Sequence, residues 1–169
     1  MPAGDRKADG AFVIRRVFEA PCPRVWKAWS EREELETWWG PKGCSITVAT
    51  FEFRPGGFFH YAMRFTKGPP MWGRFLYRDI AALERIAWLN SFSNEDCGIT
   101  RAPFDQSLPL EILNEASFAE KAGRTTVMLR ARPHGAAASE RKAFEALFAS
   151  LNQGYGGTFD RLAEALARA

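Results

Sequence analysis

Over residues 139–168, apolar side chains recur every three or four positions: Phe144, Phe148, Leu151, Tyr155, Phe159, Leu162 and Leu166. That spacing places all seven on one stripe of a helix with 3.6 residues per turn. The stretch holds no proline. Ser139 offers an N-cap oxygen, Glu140 follows in the first turn, and Arg168 stands at the negative end of the helix dipole. Gly154, Gly156 and Gly157 fall in the middle of the pattern, and each costs about 1 kcal/mol of helix propensity relative to alanine. Two readings follow: a kink or break between shorter helices, or a point where a strand or ligand comes close to the helix backbone.

Upstream the period changes. Residues 11–19 (AFVIRRVFE) are β-branched and aromatic and read as a strand, closed by Pro21 and Pro23. Val25, Trp26, Trp29, Leu35, Trp38 and Trp39 then sit at mixed three- and four-residue steps. They predict two short helices, broken near Ser30 and stopped by Gly40-Pro41. Four tryptophans this close together are expected to form a packed plug.

From residue 44 onward the alternation is strand-like. Residues 44–53 and 58–65 flank Arg54-Pro55-Gly56-Gly57, a turn signature, and so predict a hairpin. In the second strand Phe59, Tyr61, Met63 and Phe65 share one face, and Phe58, His60, Ala62 and Arg64 the other. Lys67-Gly68-Pro69-Pro70 is the next turn, followed by strands at 71–80 and 84–92. Residues 94–108 are irregular, a long connection of the kind that often covers a pocket mouth. Residues 109–118 carry Leu110, Ile112, Asn114, Ala116 and Phe118 on one face; a turn at 120–123 leads to a strand at 124–132.

Strand, two short helices, six antiparallel strands and a long helix make an α+β fold. A sheet of about seven strands curls, and the C-terminal helix is the element long enough to cover its concave face. A hollow remains between them wherever the facing residues do not fill it. With 169 residues, residues 11–169 are expected to form one domain behind a flexible start at 1–10. Fourteen Phe and six Trp imply a thick core or a lined pocket.

The net charge is +3, with no run of Lys or Arg, which argues against nucleic-acid binding. No signal peptide and no 18-residue apolar run is present, so no membrane span and a cytoplasmic location are expected. Cys22, Cys44 and Cys97 lack C-x-x-C spacing, and His60 and His134 lie far apart. No disulfide framework, metal site or cofactor is expected.

Several stretches resemble a known family. APCPRVWKAWSEREELETWWGP (20–41) resembles the opening signature of the activator of heat-shock protein 90 ATPase homologue-like family. FEFRPGG (51–57) is similar to its strand and turn, with Glu52 where an aspartate is more usual. WGRFLYRDI (72–80) fits its central strand, and NQGYGGTFDRLA (152–163) its helix signature, glycines included. Arg32 replaces the proline usual between the two short helices. The resemblance spans about residues 11–167 and implies the helix-grip fold of the START-like, birch-pollen-allergen-like superfamily. Its members bind or transport hydrophobic ligands, and some are cyclases or other enzymes. The co-chaperone activity of the namesake also involves a separate N-terminal domain, which is not expected within these 169 residues.

The leading expectation is therefore a small hydrophobic ligand held between sheet and helix. Its candidate contacts are Phe59, Tyr61, Met63, Phe75, Tyr77, Trp88, Asn90, Ile112 and Asn114 on the strands, closed by Phe148, Leu151 and Tyr155. Asn90, Asn114 and the tyrosines are the informative ones, because a buried amide or phenol needs a partner. An enzyme of the cyclase or hydratase kind is the alternative. It would need a titratable group at the reacting atom, yet His60, Arg64 and Arg78 fall on the opposite strand face, and His134 lies at an edge. Asp79 has inward parity but ends its strand, and no catalytic residue is assigned. A chaperone-partner module is the third reading, with Trp38, Trp39 and Trp72 the side chains whose exposure would favour a partner or a homodimer.

Overall fold

The computed structural model describes residues 10–168. All of the expected flexible start except Gly10 lies outside them. Strand β1 (Phe12–Phe18) leads to helices α1 (Cys22–Ser30) and α2 (Arg32–Trp38), then strands β2 (Ser45–Phe51), β3 (Phe58–Arg64), β4 (Met71–Ala81) and β5 (Arg85–Ser93). A two-residue β6 (Ile99–Thr100), β7 (Glu111–Lys121) and β8 (Arg124–His134) precede helices α3 (Ala138–Glu145) and α4 (Phe148–Arg168). The order in the sheet is β1-β8-β7-β5-β4-β3-β2, every pair antiparallel, with β6 added to the end of β5. This is an α+β helix-grip fold. The short turns follow local chemistry; Ala122 and Gly123 both have positive φ, which closes the β7–β8 hairpin in two residues.

Three local expectations are corrected. The C-terminal stripe does break, but at residues 146–147, between α3 and α4. The glycines lie inside α4, whose helix runs through them without interruption. Nor does Ser139 cap the helix, since α3 begins one residue before it; instead Glu140 reaches back to accept the Ala137 N–H at 2.9 Å. The third concerns Asp79. The β4–β5 register shifts between Tyr77 and Asp79, leaving Arg78 as a bulge. The extra residue inverts the parity: Asp79 turns outward to pair with Arg85, and Ile80 packs against the core instead. The expected irregular stretch at 94–108 also contains β6.

The concave face divides along the strands. At one end α1, α2 and the second half of α4 close over it. Trp29 meets Trp88 and Phe118 at ring separations of 6.0 and 5.7 Å, and Trp39 meets Phe75 edge-on at 5.1 Å. Phe18, Phe159 and Leu162 complete this packed half. The tryptophan cluster is a plug: Trp29, Trp38 and Trp39 are buried, and the Trp38 indole N–H donates to Ala28 O at 2.9 Å. On the convex face His60 is 3% exposed. It faces away from the helix, as its parity predicts, but is covered by Trp72, stacked at 4.9 Å, and by the turn at Asn94, whose carbonyl lies 3.1 Å from Nε2.

Candidate ligand cavity

At the other end of the concave face, α3 and the first half of α4 touch the sheet through Phe12 on β1 and Ala131 on β8 but leave a space over the strands beside them. Between them lies a cavity of about 390 Å³, within the range typical of small-molecule sites. The floor comes from inward positions: Tyr61, Met63 and Phe65 near β3, Met71 and Gly73 on β4, Asn90 and Phe92 on β5, and Ile112, Asn114 and Ala131 on β7 and β8. The roof comes from Phe144, Leu147, Leu151, Gly154, Tyr155 and Thr158. Trp39, Gly40 and Pro41 form one wall, and Ala102, Phe104, Leu108, Pro109 and Leu110 another. Phe104 and Leu110 line the space yet are 63% and 41% exposed, which marks the mouth beside this second wall.

Two polar devices hold the walls. Arg161 Nη1 donates to the carbonyls of Trp39, Gly40 and Pro41 at 3.3, 3.0 and 3.0 Å. One guanidinium thus pins to α4 the chain that leaves α2. Gly40 is required there: its φ is +98°, and a Cβ would lie 2.7 Å from Cys44 Sγ. On the mouth side, Arg101 donates to Leu108 O at 2.8 Å and pairs with Glu140 in the first turn of α3. The Arg101 guanidinium, then the Ala137 N–H, holds the Glu140 carboxyl below its ordinary pKa.

Among the described residues, no Lys, Arg, Asp, Glu or His lines the cavity. Its ionisable groups are the phenols of Tyr61 and Tyr155, and burial pushes both upward, so both are neutral at physiological pH. At Tyr61 the Trp39 and Asn90 side chains oppose part of that rise. The Asn90 amide donates to Arg74 O at 3.1 Å. Asn114 is 1% exposed; its Nδ2 donates to Ile112 O at 3.3 Å, and its Oδ1 has no partner. Among the described residues no three His, Cys, Asp or Glu side chains group as a metal site requires.

A curved antiparallel sheet, a long C-terminal helix and a hollow between them are the architecture that the sequence resemblance implies. A family model described as activator of Hsp90 ATPase homolog 1-like protein matches residues 19–167. The chain belongs to this family. Among solved structures it is similar to a protein from Arthrobacter aurescens, with 23% identity and a TM-score of 0.78, over 96% of this chain and 88% of that one. It is also similar to the AHSA1 protein from Silicibacter pomeroyi, with 15% identity and a TM-score of 0.67, over 93% of this chain and 97% of the other. DynU16, from the dynemicin biosynthetic locus, shares 17% identity at a TM-score of 0.59; 94% of this chain spans 48% of that one. At these identities the likeness is one of fold. A search of curated proteins finds no match.

Within this family member, Tyr61, Met63, Asn90, Ile112, Asn114, Leu151 and Tyr155 line the cavity out of the twelve residues singled out in the sequence. Phe59, Phe75, Tyr77 and Trp88 share their strand face but lie in the packed half, each at most 2% exposed. Phe148 is turned against Phe12 and Phe144, at ring separations of 5.7 and 5.6 Å. The walls at 39–41 and 102–110 were not among the sequence candidates, because loop residues carry no periodicity to place them. The signals for the second wall were the length of the 94–108 connection and the parity of Leu110, which shares a face with Ile112 and Asn114.

Proposed function

We propose that this protein binds a small apolar molecule in the cavity between its sheet and α4. The observation that supports this most directly is a hollow of about 390 Å³ whose lining contains no charged side chain among the described residues, inside a fold whose superfamily members bind hydrophobic ligands. Chains that fill their concave face gain packing energy, since interiors otherwise approach the density of organic crystals. An unfilled, apolar, solvent-connected volume is a stability sacrifice that ligand occupancy accounts for.

The alternative, an enzyme of the cyclase or hydratase kind, would need an acid or base facing the same space. The lining offers two phenols kept protonated by burial, two amides and the hydroxyls of Ser91, Ser150 and Thr158, a set better suited to holding a ligand than to moving protons. A chaperone-facing surface would draw on exposed tryptophan, yet Trp38 and Trp39 are buried and Trp72 is half-buried over His60. Native mass spectrometry of freshly purified protein tests the binding reading, with denaturation to release what is held. A reproducible adduct of small-molecule mass is expected. A clean unliganded mass, with no shift on adding hydrophobic compounds of this volume, would overturn the proposal. The same spectra read whether the chain is a monomer or a dimer.

A further inference from the structure

The cavity is not uniformly apolar, and its one unmet polar demand sits deep in the floor. Asn114 has inward parity on β7, between Trp88 on β5 and Ala131 on β8. Its amide orientation is set by the Ile112 carbonyl: Nδ2 donates to that oxygen, and a flipped amide would bring two oxygens together. Oδ1 is left as an acceptor at a residue 1% exposed, without a donor among the described residues. Removing such an acceptor from water without replacing its hydrogen bond is unfavourable. Trp88 also carries an unpartnered Nε1–H, but it lies in the packed half and outside the cavity lining.

We propose that the natural ligand presents a hydrogen-bond donor, a neutral hydroxyl or N–H, to Asn114 Oδ1, and that Asn114 makes this cavity select alcohols, phenols or amines and amides in neutral form over hydrocarbons of the same shape. This rests on the ligand-binding reading above and narrows it. Two further features agree with it. A charged head group would find no counter-ion among the described residues of the lining. Tyr155, on α4 and stacked on Phe12 at 6.0 Å, lines the roof and brings a phenol O–H to that side. Burial keeps that phenol protonated. The site thus offers an acceptor below and a donor above, in a lining that is otherwise mostly apolar.

The test uses three probes of nearly one shape, naphthalene, 2-methoxynaphthalene and 2-naphthol, titrated into 15N-labelled protein at neutral pH and followed by amide chemical shifts. The methoxy compound retains an acceptor and loses the donor, so it separates donation from general polarity. Binding of 2-naphthol is expected to be roughly 5- to 150-fold tighter than that of either other probe, the range for leaving one buried polar group unsatisfied. In Asn114→Leu that preference should fall to about twofold or less, with naphthalene binding at least as well as before. Equal affinity for all three in the unaltered protein, or a naphthol preference that survives Asn114→Leu, would overturn this inference and leave the ligand-binding reading standing. Failure of all three to bind would overturn both. Because the probe series is read on the unaltered chain, it decides the question even where Asn114→Leu lowers stability.

Discussion

Gly154 offers the sharpest test of why this protein keeps a hollow. It is the seventh residue of α4, in helical conformation, and a Cβ built on it would meet nothing within 4 Å. Glycine in a helix interior forfeits about 1 kcal/mol relative to alanine, with no steric reason here to accept that loss. What the missing side chain leaves open is cavity, since Gly154 is part of the roof. Gly154→Ala should therefore stabilise the fold by about 1 kcal/mol, which for a chain of this size raises the melting temperature by about 2–4 °C. Gly154→Phe should go further, because a ring swung into the hollow buries apolar area worth roughly 1.5–3 kcal/mol. It should also abolish binding of 2-naphthol. Gly156→Ala is the control: it too has open space at its Cβ but does not line the cavity, so it should gain the same helix stability and leave binding unchanged. Calorimetric melting and the probe titration are the two readouts. A lowered melting temperature for Gly154→Ala, or undiminished binding in Gly154→Phe, would refute the idea that this position trades helix stability for ligand space.

Other expectations are equally concrete. Gly73→Ala would place its methyl 2.8 Å from the Tyr61 ring, which is already flanked by Phe59 at 4.7 Å, so overpacking should destabilise the fold by about 1–3 kcal/mol in urea melts; an unchanged midpoint would contradict the geometry. All three tyrosines, Tyr61, Tyr77 and Tyr155, are pushed up by burial from the ordinary value of 10. The folded state then retains protons that the unfolded state loses, so stability should fall as pH rises above about 10. Phenolate absorbance should appear together with alkaline unfolding, and free titration near pH 10 in the folded protein would disprove this. Glu140 is held below the ordinary 4.5 by Arg101, so the tie between the 101–108 segment and α3 contributes above that pH and is lost as pH falls through the lowered value. Hydrogen exchange over 101–110 should quicken in acid relative to the rest of the protein, and Glu140→Gln should show the quickened rate already at neutral pH.

Hydrophobic period was enough to order the elements. Alternation at two separates the strands from the helices, the proline and glycine signals place most turns within a residue or two, and the tryptophan spacing marks α1 and α2 with a break at Glu31. These are local properties, and neighbouring residues enforce them whatever the distant parts of the chain do. The parity of each strand likewise told which residues face the helix, and Asn114 stood out because a polar residue on an apolar face needs an explanation wherever it ends up.

What parity does not carry is position along the strand relative to the element lying across it. Phe59 and Tyr61 share a face, yet Phe59 is sealed in the packed half while Tyr61 lines the cavity, because the tryptophan plug covers only one end of the sheet. A single inserted residue, Arg78, reversed the expected orientation of Asp79, and no periodicity reports a bulge before the partner strand is in place. The break after α3 and the intact helix through Gly154, Gly156 and Gly157 were set the same way. Propensity disfavours glycine in a helix by about 1 kcal/mol each, but burial of Phe159 and Leu162 against the sheet outweighs that, and the helix is interrupted at 146–147 instead. Element type is thus written in neighbouring residues, whereas the hollow exists only where two covering helices leave a space over one curved sheet.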